Sequence, residues 1–174
     1  MKQTQIRVHQ GDITRLALTA IVNAANPSLL GGGGVDGAIH LAAGPRLKEA
    51  CRKLGGCAVS QAKLTEGFDL PARYVIHTVG PIWQGGAKGE AQALHACYEN
   101  ALSLAAQHGF SEIAFPAIST GVYGYPKQEA ASIAVQAIRH FIEGESSIKT
   151  VYLVAFDATT AQLYQETIAA EGGF

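Results

Sequence analysis

The residues best placed by type and spacing to do chemistry are an amide, Asn26, and a carboxylate, Asp36, on either side of a glycine run, Gly31-Gly32-Gly33-Gly34. Glycine tolerates φ > 0 and lets the main chain approach a ligand with no Cβ in the way. Residues 35–43 have helical composition, and a helix N-terminus offers unpaired N–H groups and the positive end of its dipole. Loop and helix together make an anion site with Asn26 and Asp36 at its mouth. A second glycine-containing loop, residues 118–126, carries Ser119, Thr120, Gly121, Val122 and Tyr123. Neither loop contains Lys or Arg, so an anion between them would be gripped by main-chain N–H groups and helix dipoles, which suits a diphosphate. A glycine run alone fits a flexible surface loop equally well; the second loop is what argues for a site. Neither the P-loop pattern nor the dinucleotide fingerprint is met.

The elements around these loops can be read from hydrophobic periodicity. Strands are expected at residues 6–9, 20–24, 62–66, 74–79, 111–117 and 150–156, the fifth stopping near Pro116. Helices are expected at 35–43, 46–53, 90–107, 127–142 and 159–170, the last with Thr159 as its N-cap. Residues 83–89, rich in glycine and led by Trp83, read as a mobile loop. Alternating strands and helices predict an α/β fold with helices on both faces of a largely parallel sheet. Such sheets bind ligands outside the carboxyl ends of their strands. Asp12, Asn26, Ser119 to Tyr123, and Phe156 all follow predicted strands directly.

Size and composition narrow the options. The 174 residues are read as one domain, 1–174. The net charge of -1 argues against bulk binding to nucleic acid, whose phosphates select clustered Lys and Arg, although a local basic patch remains compatible with it. Cys51, Cys57 and Cys97 are odd in number and lack C-x-x-C spacing, which fits reduced thiols in the cytoplasm and suggests no disulfide framework. No Cys/His grouping suggests a metal, and no cofactor is expected. The N-terminus carries no apolar leader segment, and no run is long enough to span a membrane.

Five segments stand in order: Gly11-Asp12-Ile13-Thr14; Val22-Asn23-Ala24-Ala25-Asn26; residues 31–37 followed by Ala38-Ile39-His40; His77-Thr78-Val79-Gly80-Pro81; and Pro116-Ala117-Ile118-Ser119-Thr120-Gly121-Val122-Tyr123-Gly124. Together they resemble the macrodomain family, in particular its MacroD-type branch, over essentially the whole chain. The resemblance implies a three-layer α/β/α macrodomain-like fold with a mixed, largely parallel central sheet. It also implies an ADP-ribose cleft and a hydrolase acting on mono-ADP-ribosylated acidic side chains of proteins, on O-acetyl-ADP-ribose, or on both. A non-catalytic ADP-ribose-binding module, an ADP-ribose 1″-phosphate phosphatase and a partner of adenine-rich RNA are the rival readings.

The resemblance also distributes roles. Asp12 would accept from the adenine amine and the Ile13 N–H would meet a ring nitrogen. Gly34 and Val35 belong to the first phosphate loop, and Ser119, Thr120, Gly121, Val122 and Tyr123 to the second, with Gly121 turning the main chain. Tyr123 would wall the distal ribose or pack beneath its loop, and Phe156 would line the adenine pocket or enter the core. Asn26, able to donate and accept, would orient the distal ribose and a water, for which Asp36 would be the general base. His40 and His77 read first as packing residues.

Overall fold

The described part of the computed structural model is residues 4–172, so the readings for residues 1–3 and 173–174 lie outside the described residues. Its strands are β1 (Gln5–Gln10), β2 (Ala20–Ala25), β3 (Ala62–Glu66), β4 (Tyr74–Val79), β5 (Glu112–Phe115) and β6 (Thr150–Ala155), and its helices are α1 (Gly34–Ala43), α2 (Pro45–Leu54), α3 (Glu90–Gln107), α4 (Lys127–Ile142) and α5 (Ala158–Ala170). The sheet order is β1-β6-β5-β2-β4-β3. All neighbours run parallel except β3, which pairs antiparallel with β4 at the edge.

Period-two alternation divides the core into two layers. Ile21, Ala25, Val75 and Val79 pack with Ile39, Leu47 and Cys51 beneath α1 and α2. Ala20, Val22 and Ile76 pack with Leu94, Tyr98, Val135 and Tyr164 beneath α3, α4 and α5. The central strands are therefore apolar on both faces, as covered parallel strands must be. The fold is a three-layer α/β/α arrangement around a mixed, mostly parallel sheet.

Most boundaries fall within one residue of the sequence reading, and three of the differences bear on the site. β5 is shorter than 111–117 because Ser111 already spends its carbonyl on Lys149 N and Thr150 N, and Pro116 has no N–H for the ladder. β6 stops one residue short of Phe156. α5 is capped by Asp157, not Thr159: the Asp157 carboxylate accepts from Thr160 N at 2.8 Å. Among the described residues no helix is long and apolar enough to cross a membrane.

The loop 83–89 is tied down, contrary to the expected mobility. Buried Glu90 accepts from Gln84 N (2.8 Å), Gly86 N (2.9 Å) and Lys88 N (2.6 Å). Trp83 packs against Tyr125, ring centroids 4.7 Å apart, and its main-chain N–H donates to Tyr123 O at 2.8 Å.

Candidate functional site

The five parallel strands end on one edge, and the segments leaving them line one cleft of about 810 Å³, a size within the roughly 300–1,000 Å³ of small-molecule sites. This cleft brings together Asp12, Ile13, Asn26, Gly34, Val35, Asp36, Ser119, Thr120, Gly121, Val122, Tyr123 and Phe156. Trp83, His40 and His77 do not line it.

The first loop is shaped by Asn26. Its Oδ1 accepts from Ser28 Oγ (2.8 Å) and Leu29 N (3.2 Å), and its Nδ2 donates to Gly31 O (2.9 Å). Both carbonyl lone pairs are thus engaged, so Asn26 offers a ligand one remaining N–H and no acceptor, narrower than the sequence reading allowed. Leu29 follows with φ 63°, a left-handed conformation costing an L-residue ~1–2 kcal/mol, and its fully buried side chain holds it there. Of the four glycines, Gly31 and Gly34 take positive φ and Gly33 does not. Gly37, one turn into α1, sits so close that a Cβ would lie 2.5 Å from Gly32 O.

Asp36 is 4% exposed in the first turn of α1. Its Oδ1 accepts from Asn23 Nδ2 at 2.8 Å. His40 Nε2 stands 3.5 Å from the same oxygen, beyond ordinary hydrogen-bond length. Oδ2 faces the Gly32 main chain, where a Cβ would lie 3.2 Å from it and 3.3 Å from Asn26 Nδ2. The free carboxylate oxygen and the free amide N–H therefore flank one gap.

Asn23 is the residue sequence reasoning left without a role. It is fully buried, and a second contact runs from its Nδ2 to His77 Nδ1 at 3.2 Å. His77 in turn lies 2.9 Å from Thr65 Oγ1 and 3.7 Å from Cys51 Sγ, both through Nε2. Burial, aided by nearby His40, pushes the His77 ring down to about 3, so it is neutral. Burial and Asp36 push the Cys51 thiol up to about 11, which makes it inert. Asn23 shares its strand face with Ile21 and Ala25; a polar residue in that apolar alternation was the available signal.

The second loop closes on itself through Tyr125 N to Ser119 O (2.9 Å) and Gly124 N to Gly121 O (2.9 Å). Thr120 Oγ1 donates to Ala117 O at 2.9 Å. The left-handed residues of this loop are Ser119 (φ 67°) and Gly124 (φ 71°). Ser119 lies against Gly80, where a Cβ would fall 2.1 Å from Ser119 Oγ. A side chain at Gly80, directly after β4, would displace Ser119 and Ile118. Tyr123 is half-buried at the cleft, and Val122 is 95% exposed.

At the other end of the cleft Asp12 caps the short 3₁₀ turn Ile13–Arg15. Its Oδ1 accepts from Thr14 Oγ1 (2.7 Å) and Thr14 N (2.9 Å). These two bonds, with Arg15 nearby, hold its carboxyl below the usual range against a small opposing effect of burial. Oδ2 remains open as an acceptor. Ile13 is buried. Phe156 is 85% exposed and so belongs to the cleft wall, not the core. Lys127, which the sequence reading missed because it lies one residue past the second loop, is the one Lys or Arg on the wall among the described residues. Among the described residues no group of three or more His, Cys, Asp or Glu could hold a metal ion.

Comparison with known proteins places this geometry. The Macro domain family model matches residues 22–134. The O-acetyl-ADP-ribose deacetylase of Escherichia coli strain K12 is 52% identical over 174 residues, covering 98% of each chain. The protein of the same name from Citrobacter rodentium is 56% identical over 173 residues, covering 97% of this chain and 98% of that one. The Oceanobacillus iheyensis macrodomain with ADP superposes with a TM-score of 0.93 at 44% identity, covering 98% of this chain and 95% of that one. The Trypanosoma brucei macrodomain in complex with ADP-ribose gives 0.89 at 42% identity, covering 94% and 69%.

Proposed function

The chain belongs to the macrodomain family, and from that membership we propose that it is an ADP-ribose-binding hydrolase, removing the acetyl group of O-acetyl-ADP-ribose and mono-ADP-ribose from acidic side chains of proteins. The observation that carries the reading is the pairing, across one gap, of the Asp36 Oδ2 with the free Asn26 N–H in a cleft of about 810 Å³. Relatives above half identity named O-acetyl-ADP-ribose deacetylase support the ester reaction.

Adenine lies between Phe156 and the open oxygen of Asp12, which accepts from its exocyclic amine. The diphosphate is held by the main chain of residues 31–35 and 119–123. This leaves the distal ribose at Asn26, whose N–H orients a hydroxyl. Asp36 takes a proton from a water; that oxygen adds to the acetyl carbonyl. The ester C–O bond then breaks, and the ribose oxygen leaves with a proton, giving acetate and ADP-ribose. General-base catalysis of this kind contributes ~10²–10⁴-fold. A cytoplasmic setting fits the three free cysteines.

Turnover of O-acetyl-ADP-ribose and of a protein ADP-ribosylated on glutamate, measured side by side, tests the reading. Release of free ADP-ribose from either supports a hydrolase and ranks the two substrates. Tight ADP-ribose binding with no release from either would instead make the domain a binding module.

A further inference from the structure

The cleft does not account for the buried polar chain behind it. Asp36 on α1, Asn23 on β2, His77 on β4 and Thr65 on β3 run in sequence across the sheet face covered by α1 and α2, each link 2.8–3.2 Å long. Asn23 and His77 are directly paired in the β2–β4 register, and both are fully buried.

The hydrogen-bond roles along this chain are fixed by chemistry. An ionised carboxylate only accepts, so the Asn23 atom 2.8 Å from Asp36 Oδ1 is its NH₂ group. The second hydrogen of that group points at His77 Nδ1, 3.2 Å away, which must then be an acceptor. The ring proton is left on Nε2, where Thr65 Oγ1 receives it at 2.9 Å. Moving the proton to Nδ1 would set N–H against N–H and favour rotation of the Asn23 amide. The amide carbonyl, not its N–H, would then face the Asp36 carboxylate. Asn23 Oδ1 has no partner among the described residues, so nothing on its own side holds the amide in place.

From this we propose that His77 is a positioning residue for Asp36: its Nε2–H form, whose ring proton Thr65 Oγ1 accepts, fixes the direction of the Asn23 amide and thereby keeps a hydrogen-bond donor on the carboxylate. The inference rests on the reading of Asp36 as the reacting group. It goes further by assigning the hydrolytic geometry to residues that touch neither ligand nor cleft.

Two measurements test it. Long-range proton–nitrogen correlation spectra of the full chain report the His77 tautomer without reference to activity. The expected result at pH 7 is a neutral ring protonated at Nε2, passing to a mixture with Nδ1–H in Thr65→Val. A wild-type ring protonated at Nδ1, or doubly protonated, overturns the proposal. In the second measurement, His77→Leu is expected to lower kcat on O-acetyl-ADP-ribose by roughly 10- to 100-fold through misplacement of the carboxylate, while the ADP-ribose Kd, which also certifies folding, stays within about threefold. His77→Asn, whose Oδ1 can accept from Asn23 where Nδ1 does, is expected to recover most of that loss. Loss in Asp36→Ala without loss in His77→Leu overturns this proposal alone. An equal loss in His77→Leu and His77→Asn overturns it too, since a role in packing would not distinguish them. No turnover by the wild-type chain overturns the hydrolase reading beneath it.

Discussion

At the scale of single residues, the cleft is built from exposed side chains on its wall and tightly packed ones that shape the main chain. Phe156 is of the first kind. Because it is 85% exposed, it contributes little to the fold, and aromatic–base stacking is worth ~1–3 kcal/mol. Phe156→Ala is therefore expected to weaken ADP-ribose binding by roughly 5- to 150-fold with an unchanged Tm, as read by calorimetry and a thermal melt. Gly80 is of the second kind. A methyl group there would fall 2.1 Å from Ser119 Oγ, and overpacking typically costs ~1–3 kcal/mol. Gly80→Ala is expected to lower Tm and ADP-ribose affinity together, because the displaced residue belongs to the loop proposed to hold the diphosphate. The identities of Phe156 and Gly80 were visible in the sequence, but the need for glycine was not. The Gly80–Ser119 contact joins segments 39 positions apart, and only the packing of β4 beside β5's exit loop creates it.

At the scale of elements, the two loops of the cleft are held by different devices. The first is braced by Asn26 and the start of α1, and the second by its own main-chain bonds and by the neighbouring segment 83–89. That segment depends on Glu90. Burial opposes ionisation of this carboxyl, but N–H groups of Gln84, Gly86, Glu90 and Lys88 outweigh it and hold it at about 2. With the folded-state value below the ordinary 4.5, the clamp is at full strength above pH 4.5 and is lost as pH falls toward about 2. Glu90→Gln is expected to speed hydrogen exchange of the Gln84, Gly86 and Lys88 amides at pH 7, leaving those of β2 unchanged; unaltered exchange would mean that other contacts hold the loop. Helices 90–107 and 127–142 were legible end to end, because their apolar stripes and helical composition are local. The tethering of 83–89 was not, since a glycine-rich stretch looks the same in sequence whether it is free or stapled by a carboxylate. For a similar reason the first turn of α5 read as capped by Thr159, when both Thr159 and Asp157 are acceptable caps and the end of β6 decides between them.

At the scale of the whole molecule, the sheet order explains why one cleft suffices. Five parallel strands deliver Asp12, Asn26, Gly80, the 116–123 segment and Phe156 to one edge, and residues far apart in the chain become neighbours there. The α/β class and that convergence could be read from alternating strands and helices. The antiparallel β3 and the pairing of Asn23 with His77 could not, because strand register is set by packing between segments 54 residues apart. The central claim is that this edge holds ADP-ribose through its main chain and hydrolyses a bond on the distal ribose with Asp36. The most direct test is release of acetate from saturating O-acetyl-ADP-ribose by the wild-type chain and by Asp36→Ala, with ADP-ribose Kd measured for both. The kcat of Asp36→Ala is expected to fall about 100-fold or more with Kd within a few-fold; a variant that turns over at the wild-type rate would contradict the role of Asp36.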